Sequence, residues 1–218
     1  MDWFPLLLSL RVAGLATLIT SVVGVAGAYV LARFRFPGRG LLEAIASLPI
    51  VLPPTVLGYY LLVVIGRNSP IGRAYEAVTG GPLVFTWQAA VLAASVASLP
   101  FCLRTATAAI NAVDVAYEEA ARVAGVHGAR LAFTVTLPLA VRGIVAGISL
   151  AFARALGDFG TTIMVAGNIP GRTQTMPIAV FDRVQAFDYT TAGVLAGVLA
   201  AVAIVVLLGV RRLERTAL

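Results

Sequence analysis

Long apolar runs separated by short polar stretches are the dominant pattern of the sequence. The runs cover about residues 5–32, 44–65, 83–103, 140–157 and 190–210. Each is close to the roughly 20 residues that an α-helix needs to cross a bilayer, and none alternates as a barrel strand would. Because a membrane offers the backbone no water to bond with, helix is the expected form. The pattern predicts an all-α membrane protein of about five transmembrane helices, with residues 1–218 forming a single domain.

The composition agrees with this prediction. Hydrophobic residues make up 60% of the 218 residues and charged residues 12%, against roughly 25% charged residues in soluble domains. The first five residues lack the basic region and cleavage site of a removable signal peptide, so we expect the first run to be retained. The single cysteine, Cys102, lies inside the third run, and we expect it to be buried and to serve packing.

Arginine placement predicts the orientation of the chain. All sixteen basic residues are arginine, and they cluster at the ends of apolar runs, which is typical of topology signals and unlike a nucleic-acid footprint. With the N-terminus outside, ten would lie in the cytoplasm and four outside, with Arg11 and Arg154 inside spans. Since arginine is retained preferentially on the cytoplasmic side, an N-out/C-in orientation is predicted. The ten are Arg33, Arg35, Arg39, Arg104, Arg122, Arg130, Arg142, Arg211, Arg212 and Arg215, and the four are Arg67, Arg73, Arg172 and Arg183.

Residues 157–189 are apolar at first and then rich in Gly, Pro, Thr and charge. We assign this segment to the outer face. Two alternatives stay open at this point, a re-entrant or interfacial helix over about 177–184 and a sixth short span.

Residues 113–138, between the third and fourth runs, are too many for a simple connection between spans. Asp114 can cap a helix that stops at Gly125, a residue that readily takes the left-handed conformation. A second short helix is expected to end at Pro138, before the fourth span begins. The segment therefore predicts two short helices joined by a glycine elbow.

The same segment carries a spaced motif. Glu119–Ala121 is followed after three residues by Gly125, then after nine by Val135, and then by Leu137–Pro138. This resembles the E-A-A motif of binding-protein-dependent ABC importer permeases, with Val where Ile is commoner. The resemblance implies the type I ABC importer permease fold and a coupling helix in residues 113–138, here called the coupling loop, that docks onto a separate ATPase. The coupling residues it implies are Glu118, Glu119, Ala120, Ala121, Gly125, Val126, His127, Gly128, Leu137 and Pro138.

Four further stretches extend the resemblance over nearly the whole chain: 36–43, 48–62, 151–160 and 167–177. Together they are most similar to permeases for molybdate and tungstate, although the first and third also resemble sulfate and thiosulfate permeases. Residues 185–189 favour that sulfate alternative. The resemblance implies an importer of molybdate, with tungstate as a second cargo.

Several polar residues and prolines are candidates for the pore or gate. Arg154 and Asp158 are spaced to pair on one helix face, either along the anion route or only to lock two helices together. Prolines in the second run bend the helix, as a gate hinge or as a packing bend. The pore or gate candidates are Pro53, Pro54, Thr55, Arg154, Asp158, Thr161 and Thr162, and the candidates for docking a binding protein are Asn168, Arg172 and Gln174.

A chain without lysine cannot contain the phosphate-binding glycine loop and lysine of an ATPase. We therefore expect a non-catalytic subunit that binds no cofactor or metal, while ATP and Mg²⁺ bind to its partner. His127, the only histidine, is interpreted as a surface residue.

The expected partners are a second copy of the chain, two ABC ATPase subunits, an extracytoplasmic molybdate-binding protein and the lipid bilayer, without nucleic acid. The expected location is the inner, cytoplasmic membrane of a prokaryote. Two alternatives of another class stay open: an ion-coupled secondary transporter in which Asp158 titrates, although five spans do not divide into equal repeats, and a structural or assembly subunit.

Overall fold

The computed structural model describes residues 2–216, except for the side chains of residues 210, 211 and 213–216. The side chains of Arg211 and Arg215, two of the ten arginines predicted to lie in the cytoplasm, are outside the described part of the chain. Within the described residues the regular structure is entirely helical, which confirms the all-α prediction. The helices are α1 (Phe4–Arg33), α2 (Arg39–Val51), α3 (Pro54–Ile65), α4 (Pro70–Thr79), α5 (Trp87–Asn111), α6 (Val115–Val123), α7 (Gly128–Leu131), α8 (Leu137–Leu156), α9 (Gly160–Ala166), α10 (Met176–Gln185) and α11 (Tyr189–Thr216), with a π-helical stretch at Ala132–Thr136 between α7 and α8.

Four helical stretches in the described part of the chain are long and apolar enough to cross a membrane: α1, α5, Gly128–Leu156 and Tyr189–Gly209. They correspond to the first, third, fourth and fifth predicted spans. Helix α5 continues eight residues past the predicted end at 103. Three of these eight residues are alanine, which favours helix strongly.

The second predicted span is present as two helices, α2 and α3, and not as a single bent helix. Its helix begins at Arg39, and α2 and α3 meet at 119°, so the chain makes a corner where the sequence suggested a kink. Leu52 and Pro53 are extended, and Pro54 begins α3. The two prolines explain the corner, since the residue before a proline is driven out of the helical region and proline itself is favourable at the first helical position.

The predicted break at Pro138 is also wrong. Residues Gly128–Leu156 form one continuous helical stretch of 29 residues, with Pro138 in the first turn of α8. The π-helical stretch just before it makes this possible, because the Leu137 N–H bonds to the Ala132 carbonyl five residues back. The wider turn carries the chain past the proline without the usual bonding pattern.

Helix α5 lies at the centre of the bundle, between α1 and α8. Small residues allow this close packing. A Cβ added to Gly24 of α1 would lie 3.0 Å from the Cys102 sulfur, and one added to Gly143 of α8 would clash with Ala109. Cys102 is fully buried, which confirms the expectation that it serves packing.

The segment 157–189 contains α9 and α10. At 7 and 10 residues they span only about 10–15 Å, so neither forms a sixth span. The helix expected over 177–184 is confirmed as α10. Helix α4 has no counterpart in the sequence-based prediction, although Ser69 caps it by accepting from the Gly72 N–H, and Gly80 ends it in the left-handed conformation.

The bundle has a coupling end and a distal end. The coupling end carries the coupling loop and the last turn of α1, whose Arg33 contacts Glu118. The distal end is the one at which α1 begins and α8 ends.

Candidate functional site

The local geometry of the coupling loop agrees with the sequence-based prediction. The Asp114 carboxylate accepts from the Ala116 N–H at 2.9 Å and caps α6. Gly125 has φ +84°, and the neighbouring Val126 N–H reaches back to the Ala121 carbonyl at 2.9 Å. A residue with a Cβ would be strained at this φ. The predicted cap and glycine elbow are confirmed.

The loop leaves an unusual number of apolar side chains exposed. Val123 is 91% exposed and Phe133 is 71% exposed. Val115 and Tyr117 are more than half exposed, and Glu119 and His127 are exposed beside them. Of these apolar residues, Val115, Tyr117 and Val123 belong to α6, outside the helices long enough to cross a membrane, and clustered apolar exposure of this kind is typical of a protein interaction site.

Glu118 occupies a different environment from its neighbour Glu119. It is 2% exposed, and its carboxylate accepts from Arg33 Nε at 2.7 Å and from the Thr136 hydroxyl at 2.8 Å. Arg122 lies 3.5 Å from its second oxygen. Its side chain therefore faces the bundle and not the exposed face of the loop. Its role in ATPase coupling stays a prediction.

Arg33 extends this network to a third helix. Its second guanidinium nitrogen donates to the Ile110 carbonyl at 2.9 Å, near the end of α5. One buried carboxylate thus holds α6 against α1, the end of α5 and the π-helical stretch before α8. Sequence reasoning missed Arg33 and Thr136 as site residues, because Arg33 and Glu118 are 85 residues apart and no local spacing joins them.

A second buried carboxylate lies at the distal end. Asp158 is 3% exposed and accepts from Arg154 Nη1 at 2.9 Å, which confirms the predicted pairing of these residues. Its other oxygen accepts from the Thr162 hydroxyl at 2.7 Å and the Thr162 N–H at 3.0 Å. Asp158 therefore organises the turn from α8 into α9.

The α8–α9 turn packs against the corner between α2 and α3. A Cβ on Gly160 would lie 2.7 Å from the Pro54 side chain, and one on Gly58 would lie 2.6 Å from Met164. The prolines and Thr55 are exposed, whereas Thr161 and Thr162 are buried within the chain. The structure thus brings most pore and gate candidates together, but the two threonines lie behind the exposed surface.

The docking candidates lie on the loop between α9 and α10. Gln174 donates to Asn168 at 2.9 Å, and Asn168 donates to Asp182 of α10 at 3.0 Å. Asn168 and Arg172 are exposed, but Gln174 is only 9% exposed. Gln174 therefore orders the loop. Arg172 and Asn168 are the docking candidates on its surface, and their contact with a binding protein stays a prediction.

Residues 4–213 match the model of the binding-protein-dependent transport system inner membrane component family. The molybdenum transport system permease protein ModB of Escherichia coli K12 is 46% identical over 184 residues, which are 84% of this chain and 80% of that protein. The sulfate transport system permease protein CysT of Salmonella typhimurium is 34% identical over 206 residues, covering 94% and 74%.

A solved structure shares the fold. The inward-facing MetNI methionine ABC transporter matches with a TM-score of 0.77 at 18% identity, and the match covers 100% of both chains. At this identity the likeness concerns the fold alone, and it agrees with the arrangement of helices described above.

Proposed function

Because the chain belongs to the binding-protein-dependent transport system inner membrane component family, we propose that it is the membrane-spanning pore subunit of an ATP-driven molybdate importer that also carries tungstate. The molybdenum permeases share more identity with the chain than the sulfate permeases do. This difference supports molybdate over the sulfate alternative.

One observation carries the transport mechanism. The 29 residues Gly128–Leu156 are a continuous helical stretch about 43 Å long. It begins in the exposed coupling loop, and its last turn contains Arg154, the partner of Asp158. A displacement at the loop is thereby transmitted to the distal end without an intervening hinge. The Glu118 network supports the same function, since it makes the loop move together with α1 and α8.

The exposed face of the coupling loop is the proposed contact with the ATPase. Glu119, Val123, His127 and Phe133 form this face, and the elbow at Gly125 sets its angle. ATP and Mg²⁺ would bind to the ATPase, and this chain would bind no cofactor.

The proposed assembly contains two copies of the chain, two ATPases and one extracytoplasmic binding protein. None of the residues of α2 is buried within a single copy, and its exposed side chains include Leu41, Ile45 and Val51. A second copy related by a two-fold axis would cover such a face. The proposed orientation puts the coupling end in the cytoplasm and the distal end outside.

Reconstituted vesicles test this function. Vesicles that contain the chain, the ATPase and a molybdate-binding protein are expected to accumulate molybdate only when ATP is supplied on the ATPase side. Uptake that needs a proton gradient and no ATPase would instead support the secondary transporter, and copurification without flux would support an assembly subunit. Sulfate uptake in place of molybdate uptake would contradict the proposed cargo but not the proposed ATP-driven import.

Two variants test the coupling loop in the same vesicles. Glu119→Lys reverses a charge on the exposed face, and Gly125→Pro removes the positive φ that the elbow needs. Both are expected to lose most ATPase copurification and ATP-driven uptake while still inserting into the membrane. Glu76→Lys, a charge reversal on α4, is the control and should retain the ATPase. Normal copurification and uptake in both loop variants would show that the coupling loop is not the contact with the ATPase.

A further inference from the structure

A cleft of about 620 Å³ opens at the distal end, outside the gate candidates described above. The first turns of α1, the start of α5 and residues 171–173 form its walls. Two arginines from separate parts of the chain, Arg11 and Arg172, line it together with Gln88 and Thr173. The cleft thus gathers hydrogen-bond donors from three segments.

Arg11 occupies an unfavourable place for a charge. It lies seven residues into α1, about 10 Å along the helix from Phe4, on the same exposed stripe as Leu7, Leu18 and Val22. Helix α1 is long and apolar enough to cross a membrane, and an unpaired charge within such a helix is costly. A group that compensates the charge of Arg11 has to lie at that depth.

The chain supplies only part of this compensation. The Arg11 guanidinium carbon lies 3.8 Å from the centroid of the Trp87 ring, a cation–π contact that orients the charge without neutralising it. Neither Arg11 nor Arg172 forms an ion pair with any residue that the structure describes, and the residues that line the cleft include no carboxylate. The cleft therefore carries two positive charges without a counter-ion.

The shape and lining of the cleft indicate what that counter-ion is. Guanidinium groups present paired N–H donors that match the oxygens of a phosphate, and tryptophan favours the interface between lipid and water. The other wall is apolar and consists of Phe4, Leu7 and Leu8. Of these, Leu7 lies on the exposed stripe of α1. A free oxyanion would gain nothing from contact with this apolar wall, whereas an acyl chain would pack along it.

We propose that this cleft binds a membrane phospholipid, with Arg11 and Arg172 on its phosphate and an acyl chain along the exposed stripe of α1. The site is separate from the coupling loop and from the Asp158 turn, and it shares Arg172 with the surface on which docking of a binding protein is predicted. It depends on the membrane location of the chain and not on the identity of the cargo.

Native mass spectrometry of the detergent-solubilised chain tests the proposal, with phosphatidylglycerol and diacylglycerol of the same acyl chains as probes. One phosphatidylglycerol is expected to bind per chain, and diacylglycerol, which lacks the phosphate, at least about tenfold more weakly. Arg11→Gln and Arg172→Gln should each weaken phosphatidylglycerol binding about tenfold. Arg172→Gln leaves the contact of Arg11 with Trp87 in place, so it remains informative if Arg11→Gln folds poorly.

Arg73→Gln is the matched control, because Arg73 is an exposed arginine of α4 outside the cleft, and its lipid binding should equal that of the wild type. Equal binding of phosphatidylglycerol by the wild type and both cleft variants would overturn the proposal. So would equal binding of diacylglycerol. Displacement of the lipid by millimolar molybdate or inorganic phosphate would show that the cleft is a site for a free oxyanion, which would also overturn it.

Discussion

The two buried carboxylates of this chain, Glu118 and Asp158, have nearly the same first partners and very different surroundings. Each accepts from one arginine and one threonine hydroxyl at 2.7–2.9 Å. The partners of Asp158 lie within four residues of it. Those of Glu118 lie 85 and 18 residues away. One carboxylate therefore stabilises a local turn, and the other joins distant parts of the fold.

The two carboxylates differ in how far the helices around them can move. The Glu118 network has to break before α6 can shift relative to α1 and the start of α8. The Asp158 turn contains all of its own partners, so α9 and the end of α8 can move together without losing a hydrogen bond of that carboxylate. A stiff coupling end and a distal turn that moves as a unit suit a transporter that opens at its distal end.

The largest expected effect is that of Glu118→Gln. The substitution leaves Arg33 without its counter-ion in a site where that side chain is only 15% exposed. Breaking a buried ion pair costs about 3–5 kcal/mol, and we expect a loss of about 3 kcal/mol in the free energy of unfolding. Equilibrium unfolding by SDS in mixed micelles measures it.

Glu119→Gln is the control for Glu118→Gln, since it removes the same charge from the next, exposed position. Its free energy of unfolding should stay within about 0.5 kcal/mol of the wild type. If Glu118→Gln were as stable as Glu119→Gln, the network around Glu118 would not hold the loop, and the comparison of the two carboxylates would fail.

A smaller loss is expected for Asp158→Asn, the matching isosteric change at the distal turn. The asparagine oxygen can still accept from Thr162, and asparagine caps a helix as well as aspartate does. Only the charge-assisted bond from Arg154 is lost, for which we expect about 1–2 kcal/mol by the same measurement. A loss of stability equal to that of Glu118→Gln would show that Asp158 stabilises more than its own turn.

The contrast between the two carboxylates also explains what the sequence could predict. Arg154 and Asp158 are four residues apart on one helix, and Asp114 and Gly125 have local conformational preferences, so these features follow from spacing and residue type. The contact of Arg33 with Glu118 depends on how α1 and α6 meet in space. No local pattern contains that information.

Two fold features escaped prediction for a related reason. The prolines at residues 53, 54 and 138 indicate that regular helix is interrupted, but they do not indicate which structure replaces it. At 53–54 the chain turns by 119°, and at 138 a π-helical stretch lets the helix continue. The packing of Gly160 on Pro54 fixes the first arrangement, and tertiary contacts of this kind are not readable from composition or periodicity.

The smallest effect is expected at an exposed ion pair, which serves as a reference for the two buried carboxylates. Arg67 Nε lies 3.0 Å from both oxygens of Glu76, and the hydrogen bond and charge of Arg67 hold the pKa of Glu76 below its ordinary value. A carboxylate with a lowered pKa stabilises the fold above its unfolded-state pKa and loses that contribution as the pH falls through the folded-state value. Arg67→Gln should therefore return the Glu76 pKa to its ordinary range, as measured by ¹³C NMR of labelled glutamate, while the SDS unfolding midpoint at neutral pH stays unchanged because exposed pairs contribute little. A drop in that midpoint comparable with that of Asp158→Asn would mean that burial is not what separates the two carboxylates from the surface pair.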